Sequence, residues 1–443
     1  MLLHKKDIFN STICVFLLFL IIYYFALIGN LSLFNFIALP LLCLLMIYKS
    51  ELIIAFYIII LPTAGVVSTE DNIFEIFGID EFINLLIIGY FIFKNLPKYK
   101  QNVDQKFAIS LLFIMIFIGL FTNFKNAYFD IYDIDSITAF KRIFFMLLKF
   151  FPLLLIIKHI RNYTIRKNVY IGLYLSGVVI VVSQIFNTHL KSIGLITFDD
   201  SEFVGLAQNI SQVNRVTGFY NGDPNSVGAY LLMLIGFILF KIENKHQTKL
   251  LYPLVLFFLF GILMTASRTI FVAFGMILLL FLYNNKSKKY SVQILFYLIV
   301  VLLFMSDFIF NQFSRFHNAH YQVDTNLEGN RIMKWVYYIS FLLDSPLYFL
   351  TGSQSEIDNR AAHNVYIQTL FNVGLFPLIL LISRFYRSIK LLIKINIRSL
   401  YFLIPFICIT MFVGELKEFP LYTILIVLFS LENIKINKNL KNI

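Results

Sequence analysis

Apolar runs of about 17–25 residues recur along nearly the whole chain, separated by polar stretches. Few folds satisfy this pattern. In lipid a backbone N–H or C=O finds no water, so each run must close its own hydrogen bonds as a helix. A large soluble core is excluded by the same feature. Of 443 residues, 59% are hydrophobic and 14% charged, whereas a soluble domain carries about 25% charged residues. The chain therefore reads as an all-α polytopic membrane protein, one membrane domain over 1–443, with about 14 spans (12–14). The spans are expected at roughly 11–28, 31–48, 52–67, 82–96, 107–122, 139–157, 169–187, 227–240, 251–266, 269–283, 292–310, 364–383, 400–414 and 420–431. The first follows a basic start but has no small-residue cleavage site, so an uncleaved helix is expected. Cys14, Cys43 and Cys408 all lie in apolar runs and offer neither a disulfide framework nor a zinc pattern.

Charge orders these spans. Counting alternate loops, one set holds about 25 of the 37 Lys and Arg but about 5 of the 25 acids. The positive-inside rule assigns that set, with both termini, to the cytoplasm. The net charge of +12 is thus a topology signal. It does not point to nucleic acid, because the basic loops lack aromatic interleaving and a nucleic-acid fold. On the other face two loops are long, 189–226 and 311–362. A transporter needs short loops and often shows internal repeats, and no repeat is visible. Long polar loops on one face predict a site at the outer membrane surface.

The polar residues of those loops are specific. "RVTGFYNGDPNS" closes the first loop and carries Arg215 and Asp223. Asp-Pro-Asn is a good helix start, so Asp223 reads either as a cap or as a site residue. Arg215 is either a solvated loop charge or a ligand for an anion. In "MTASRTIF", Ser267 and Arg268 form the whole connection between two expected spans. An arginine facing lipid at mid-membrane costs about 2.5–3.5 kcal/mol, and less near the edge. Arg268 therefore either snorkels outward or serves a site on the face shared with Arg215. "NRIMKWVYYISFLLDSP" predicts an amphipathic helix from Arg331 to Leu343, halted by Asp344-Ser345-Pro346. Trp335 reads as an interface anchor.

His363 and Asn364 open a span, with Gly374 ten residues beyond Asn364. His363 is either a polar interface residue or a general base, since an unperturbed pKa of about 6.5 suits proton transfer near neutrality. Glu356, Asp358 and Arg360 precede it. Lys141 and Arg142 fall near the outer end of another span. They either snorkel or meet an anionic headgroup, and Lys149 lies deeper. No metal is expected: His317 and His320 lack a third ligand nearby, and Asp133-Ile134-Asp135 lies in an outer loop where no nucleotide sugar is expected. Several arginines and one histidine suit a diphosphate, since guanidinium forks match phosphate oxygens.

"RVTGFYNGDPN", the Ser267-Arg268 turn, "NRIMKW", and "HN" followed by Gly374 together resemble the O-antigen polymerase and ligase superfamily over about residues 200–385. The resemblance implies transfer of undecaprenyl-diphosphate-linked glycans at the periplasmic face of the bacterial inner membrane, with no metal or other cofactor. Arg215, Arg268 and Arg331 resemble its diphosphate-holding positions. His363 resembles the base or acceptor-positioning histidine, and Asp223 resembles the Asp-Pro-Asn turn. A chain-length regulator protein is a partner such enzymes are expected to meet. The His363–Gly374 spacing resembles ligases. The Asp-Pro-Asn turn and the span count resemble polymerases, which are the favoured reading. A flippase or other transporter is the non-enzyme alternative.

Overall fold

A computed structural model describes residues 13, 15, 17, 31–62, 79–94, 96–97, 100–128, 136–186, 224–243, 251–265, 267–284, 331–344, 346–353, 364–412 and 419–441. Among them every regular element is helical. In chain order these are α1 (Leu31–Lys49), α2 (Leu52–Ile60), α3 (Ile79–Phe93), α4 (Val103–Tyr128), α5 (Ser136–His159), α6 (Tyr163–Ile185), α7 (Pro224–Glu243), α8 (Leu251–Thr265), α9 (Arg268–Asn284), α10 (Arg331–Leu343), α11 (Pro346–Thr351), α12 (Val365–Val373), α13 (Leu375–Ile395), α14 (Leu400–Phe412) and α15 (Phe419–Lys441), with a 3₁₀ turn at Ile397–Ser399. Among the described residues three segments are long and apolar enough to cross a membrane: Asp104–Asn126, Tyr163–Ile185 and Pro224–Glu243. The expected span at 292–310, all of 11–28 except residues 13, 15 and 17, and most of the loops 189–226 and 311–362 lie outside the described residues.

The chain divides into two compact units. The first comprises residues 1–109, 145–198 and 217–222. Its centre is α2, all nine of whose residues are buried, as expected for a helix that is apolar all round. α6 packs closely on it at Gly172. A Cβ there would stand 2.6 Å from Ile58 Cβ and 2.8 Å from the Ala55 carbonyl oxygen, the close approach that small residues give membrane helices. Tyr57 donates its hydroxyl to the Lys149 carbonyl at 2.9 Å.

Two helices of this unit begin earlier than their apolar runs. Asn102 and Gln105 cap each other reciprocally, Gln105 N–H to Asn102 Oδ1 at 2.7 Å and Asn102 N–H to Gln105 Oε1 at 3.1 Å. This is a capping box that starts α4 before the expected residue 107. Asn162 accepts from the Thr164 and Ile165 N–H groups and starts α6 before the expected 169.

The second unit holds residues 110–144, 199–216 and 223–443. α7 is its axis and is buried along nearly its whole length. α15 runs parallel to α7, with Tyr422 against Ser226 at one end and Glu432 against Lys241 at the other. α14 runs the opposite way. Its Tyr401 main chain abuts Gly236, where a Cβ would collide with the Tyr401 carbonyl oxygen. Phe237, Phe240, Phe402 and Phe429 interlock between these three helices, with ring centroids 4.2–5.8 Å apart. The single span expected at 364–383 is corrected. Gly374, at φ +83°, breaks it into α12 and α13.

Candidate functional site

One end of the second unit gathers the polar residues that the sequence singles out. α7 opens with Pro224, whose missing N–H suits a first helical position. Behind it Asn225 and Ser226 are buried. α8 and α9 turn back beside them, and Ser267 Oγ donates to Asn225 Oδ1 at 2.6 Å. The Ser267 carbonyl accepts from the Phe271 N–H at 3.1 Å, which starts α9 with Arg268 as its first residue. Arg268, expected in the turn, therefore belongs to the helix. Gly228 leaves room for this convergence: a Cβ there would lie 3.0 Å from Ile270 and 3.1 Å from Thr265.

Asn364 brings in the third segment. It caps α12, its Oδ1 accepting from the Tyr366 N–H at 3.0 Å and the Ile367 N–H at 3.2 Å. Its Nδ2 donates to the Met411 carbonyl at 3.3 Å. Met411 lies ten residues beyond Tyr401 in α14, about 15 Å of rise, which brings it level with the start of α7. Tyr422, in the first turn of α15, donates to the Ser226 carbonyl at 3.3 Å. The starts of α7, α9, α12 and α15 therefore share one end. Helix starts present N–H groups and a partial positive charge, which favours anions.

Of the six residues proposed for chemistry, Arg268 and Arg331 are the first residues of α9 and α10. Arg142 lies exposed in the second turn of α5. Arg215, Asp223 and His363 lie outside the described residues, as do Asp133, Asp135, His317, His320, Glu356, Asp358 and Arg360. In sequence Asp223 precedes Pro224, and His363 precedes Asn364. No group of three His, Cys, Asp or Glu that would hold a metal occurs among the described residues.

Below Asn364 lies a feature that sequence reasoning missed. α10 packs on α12 through Tyr338, Leu342, Leu370 and Phe371, with Tyr348 and Phe349 of α11 against the same cluster and Tyr338 edge-on to Phe371 at 4.9 Å. Two glycines of positive φ, Gly352 and Gly374, lie against each other's segments. A Cβ on Gly352 would meet Asn372 C and O at 2.7 Å, and one on Gly374 would collide with the Leu350 carbonyl. Into this junction α4 sends Lys125, whose Nζ donates to the Ser353 carbonyl at 2.5 Å and to the Asn372 carbonyl at 2.6 Å. The available signal was one cation in "FTNFKNAYFD", just past an apolar run.

The opposite end is ionic. Glu243, at the end of α7, binds Arg398 Nε at 2.8 Å and accepts the Tyr401 hydroxyl at 3.0 Å. Lys241 pairs with Glu432 at 3.2 Å.

Residues 253–382 match the family model for O-Antigen ligase. The match runs from α8 into α13 and takes in Arg268, Arg331, His363 and Gly374. It is consistent with the O-antigen polymerase/ligase superfamily and supports a polymerase- or ligase-type function with glycosyltransferase-like activity. It is shorter than the expected 200–385, and Arg215 and Asp223 fall before it. No curated protein and no solved structure matches the chain.

Proposed function

We propose that the chain is a surface-polysaccharide (O-antigen) polymerase. It transfers an undecaprenyl-diphosphate-linked glycan onto the non-reducing end of a new lipid-linked repeat unit. The observation that carries this reading is the buried Ser267–Asn225 hydrogen bond. It ties the segment following Arg215 and Asp223 to the one bearing Arg268, inside a unit that also brings Asn364 to the same end.

In the reaction, the acceptor hydroxyl oxygen attacks the anomeric carbon of the donor sugar. The bond from that carbon to the diphosphate oxygen breaks, and undecaprenyl diphosphate leaves with the electron pair. Arg215, Arg268 and Arg331 stabilise the charge growing on the leaving group. His363 accepts the hydroxyl proton. Arg142, on an exposed helix face, meets the anionic headgroup as it arrives, and Asp223 shapes the turn into α7. The diphosphate is itself a good leaving group, so the reaction needs no nucleotide. The topology that fits is fourteen spans in the inner membrane, both termini cytoplasmic, with loops 189–226 and 311–362 in the periplasm. A chain-length regulator protein is the expected partner.

The family description favours a second reading, a ligase that moves the finished glycan onto lipid A-core. A gel profile of surface polysaccharide from a deletion strain separates the two. Lipid A-core bearing a single repeat, with the ladder gone, is the polymerase result. Lipid A-core bearing no repeat, with long glycan accumulating on undecaprenyl diphosphate, is the ligase result. Cytoplasmic accumulation of single lipid-linked repeats would contradict both and favour a flippase.

A further inference from the structure

The Lys125 ammonium is poorly explained as a surface charge. It is half-buried at the end of α4, and both its hydrogen bonds go to main-chain carbonyls of other segments. One, Asn372, lies in the last turn of α12, where the final carbonyls of a helix have no intrahelical partner and a cation is favoured by the helix dipole. The other, Ser353, follows Gly352, and its own N–H donates to the Phe371 carbonyl at 2.8 Å. One side chain thus joins α4, the end of α11 and the end of α12. The interlocked glycines deepen the junction. Neither Gly352 nor Gly374 has room for a Cβ, and both have φ near +84°, a region costly for other residues.

α12 has nine residues, about 13 Å of rise. Its far end is Asn364, held at Met411. A short helix fixed at one end by Lys125 and at the other by Asn364 has little freedom to tilt.

We infer that Lys125 is a positioning residue of the proposed glycosyl-transfer site, pinning the helix break at Gly374 and thereby setting where the Asn364 end of α12 stands. This rests on the polymerase/ligase reading above. Lys125 is not a ligand of the diphosphate in this account. It acts through α12, so it governs turnover and leaves donor affinity alone.

The test uses purified full-length protein, monodisperse in detergent, with a lipid-linked repeat unit as substrate. Activity is expressed per folded molecule. Lys125→Met keeps the aliphatic stem and removes every donor. Its kcat is expected to fall at least 10-fold, with KM for the donor within twofold of wild type. Lys125→Arg keeps charge and donors and is expected to retain at least half the wild-type kcat. If the methionine variant does not fold, Lys125→Gln replaces it; the amide is too short to span both carbonyls, and a fivefold fall in kcat is expected. A wild-type kcat for the neutral variant overturns the inference. So does an arginine variant as inactive as the neutral one, and so does a KM that rises in place of the fall in kcat, which would make Lys125 a substrate contact. Arg268→Ala and the deletion strain are run beside these variants. Normal polysaccharide from the deletion strain would remove the functional reading itself. Inactive Arg268→Ala beside fully active Lys125→Met would remove this inference alone.

Discussion

The two ends of the α7–α14–α15 group are built from different chemistry. At the end where α7 starts, the buried polar side chains among the described residues are neutral. Asn225, Ser267 and Asn364 bind one another or main-chain groups. At the other end the chain places charges and pairs them internally, Glu243 with Arg398 and Lys241 with Glu432. A paired charge has little capacity left for a ligand, and a buried pair is mainly a structural device whose net contribution to stability is small. Neutral side chains that fix helix starts leave the local field to the helix termini, and Arg268 is the first residue of one of them, α9. The contrast fits the proposal that one end serves the substrate while the other holds the helices together.

The sharpest way to break this contrast is at Arg268. Arg268→Ala is expected to reduce polysaccharide formation at least 100-fold, about 2.7 kcal/mol of transition-state stabilisation, with normal amounts of protein in the membrane by immunoblot. Arg268→Lys fails as well if the contact is bidentate. A fully active lysine variant would mean that charge alone suffices. His363→Ala is expected to lower turnover by about 100-fold, in the range of a lost general base, and normal product from it would turn attention to Asp223 or Glu356.

Ser267→Ala sharpens the same end. It leaves the Asn225 oxygen buried without this donor, a cost of about 1–3 kcal/mol, and activity per folded molecule should fall roughly 10-fold because the starts of α7 and α9 loosen together. Arg398→Met addresses the other end. It leaves Glu243 with its Tyr401 hydrogen bond alone, and because Arg398 is 32% exposed the loss should be on the order of 2 kcal/mol. That loss is read as a lower unfolding temperature in detergent, while activity per folded molecule stays at wild type. An Arg398→Met protein that is stable but inactive would erase the distinction between the ends. Arg142→Ala, on an exposed face, is expected to have the smallest effect, about threefold on KM, since a single exposed contact contributes about 0.2–1 kcal/mol.

Much of the helical layout was legible because apolar length and periodicity are local properties. α10 runs from Arg331 to Leu343 as its amphipathic pattern and the Asp-Ser-Pro stop predict. The ends of α4 and α6 were misplaced because polar first turns, held by Asn102–Gln105 and by Asn162, extend helices beyond their apolar runs. The break at Gly374 was not legible. The run from Val365 to Ile382 is mostly apolar, and because glycine and proline are common inside membrane helices, Gly374 with Pro377 three residues on reads there as part of one span. Contact with Leu350 and Thr351 leaves no room for a Cβ at Gly374, which also has a positive φ.

The site divides in the same way. Arg268 and Asn364 were visible as polar residues beside spans. The Asn225–Ser267 bond, 42 residues apart in sequence, and the Lys125 junction, reaching across 228 and 247 residues, are tertiary pairings that no local pattern encodes.

The central claim is that the end bearing Asn225, Ser267-Arg268 and Asn364 carries glycosyl transfer from a lipid diphosphate. The most direct measurement is release of undecaprenyl diphosphate by purified protein given radiolabelled lipid-linked repeat units, wild type against Arg268→Ala. The account predicts one undecaprenyl diphosphate released per glycosidic bond formed by wild type, and release reduced to background by the variant. Equal release from both proteins would contradict it.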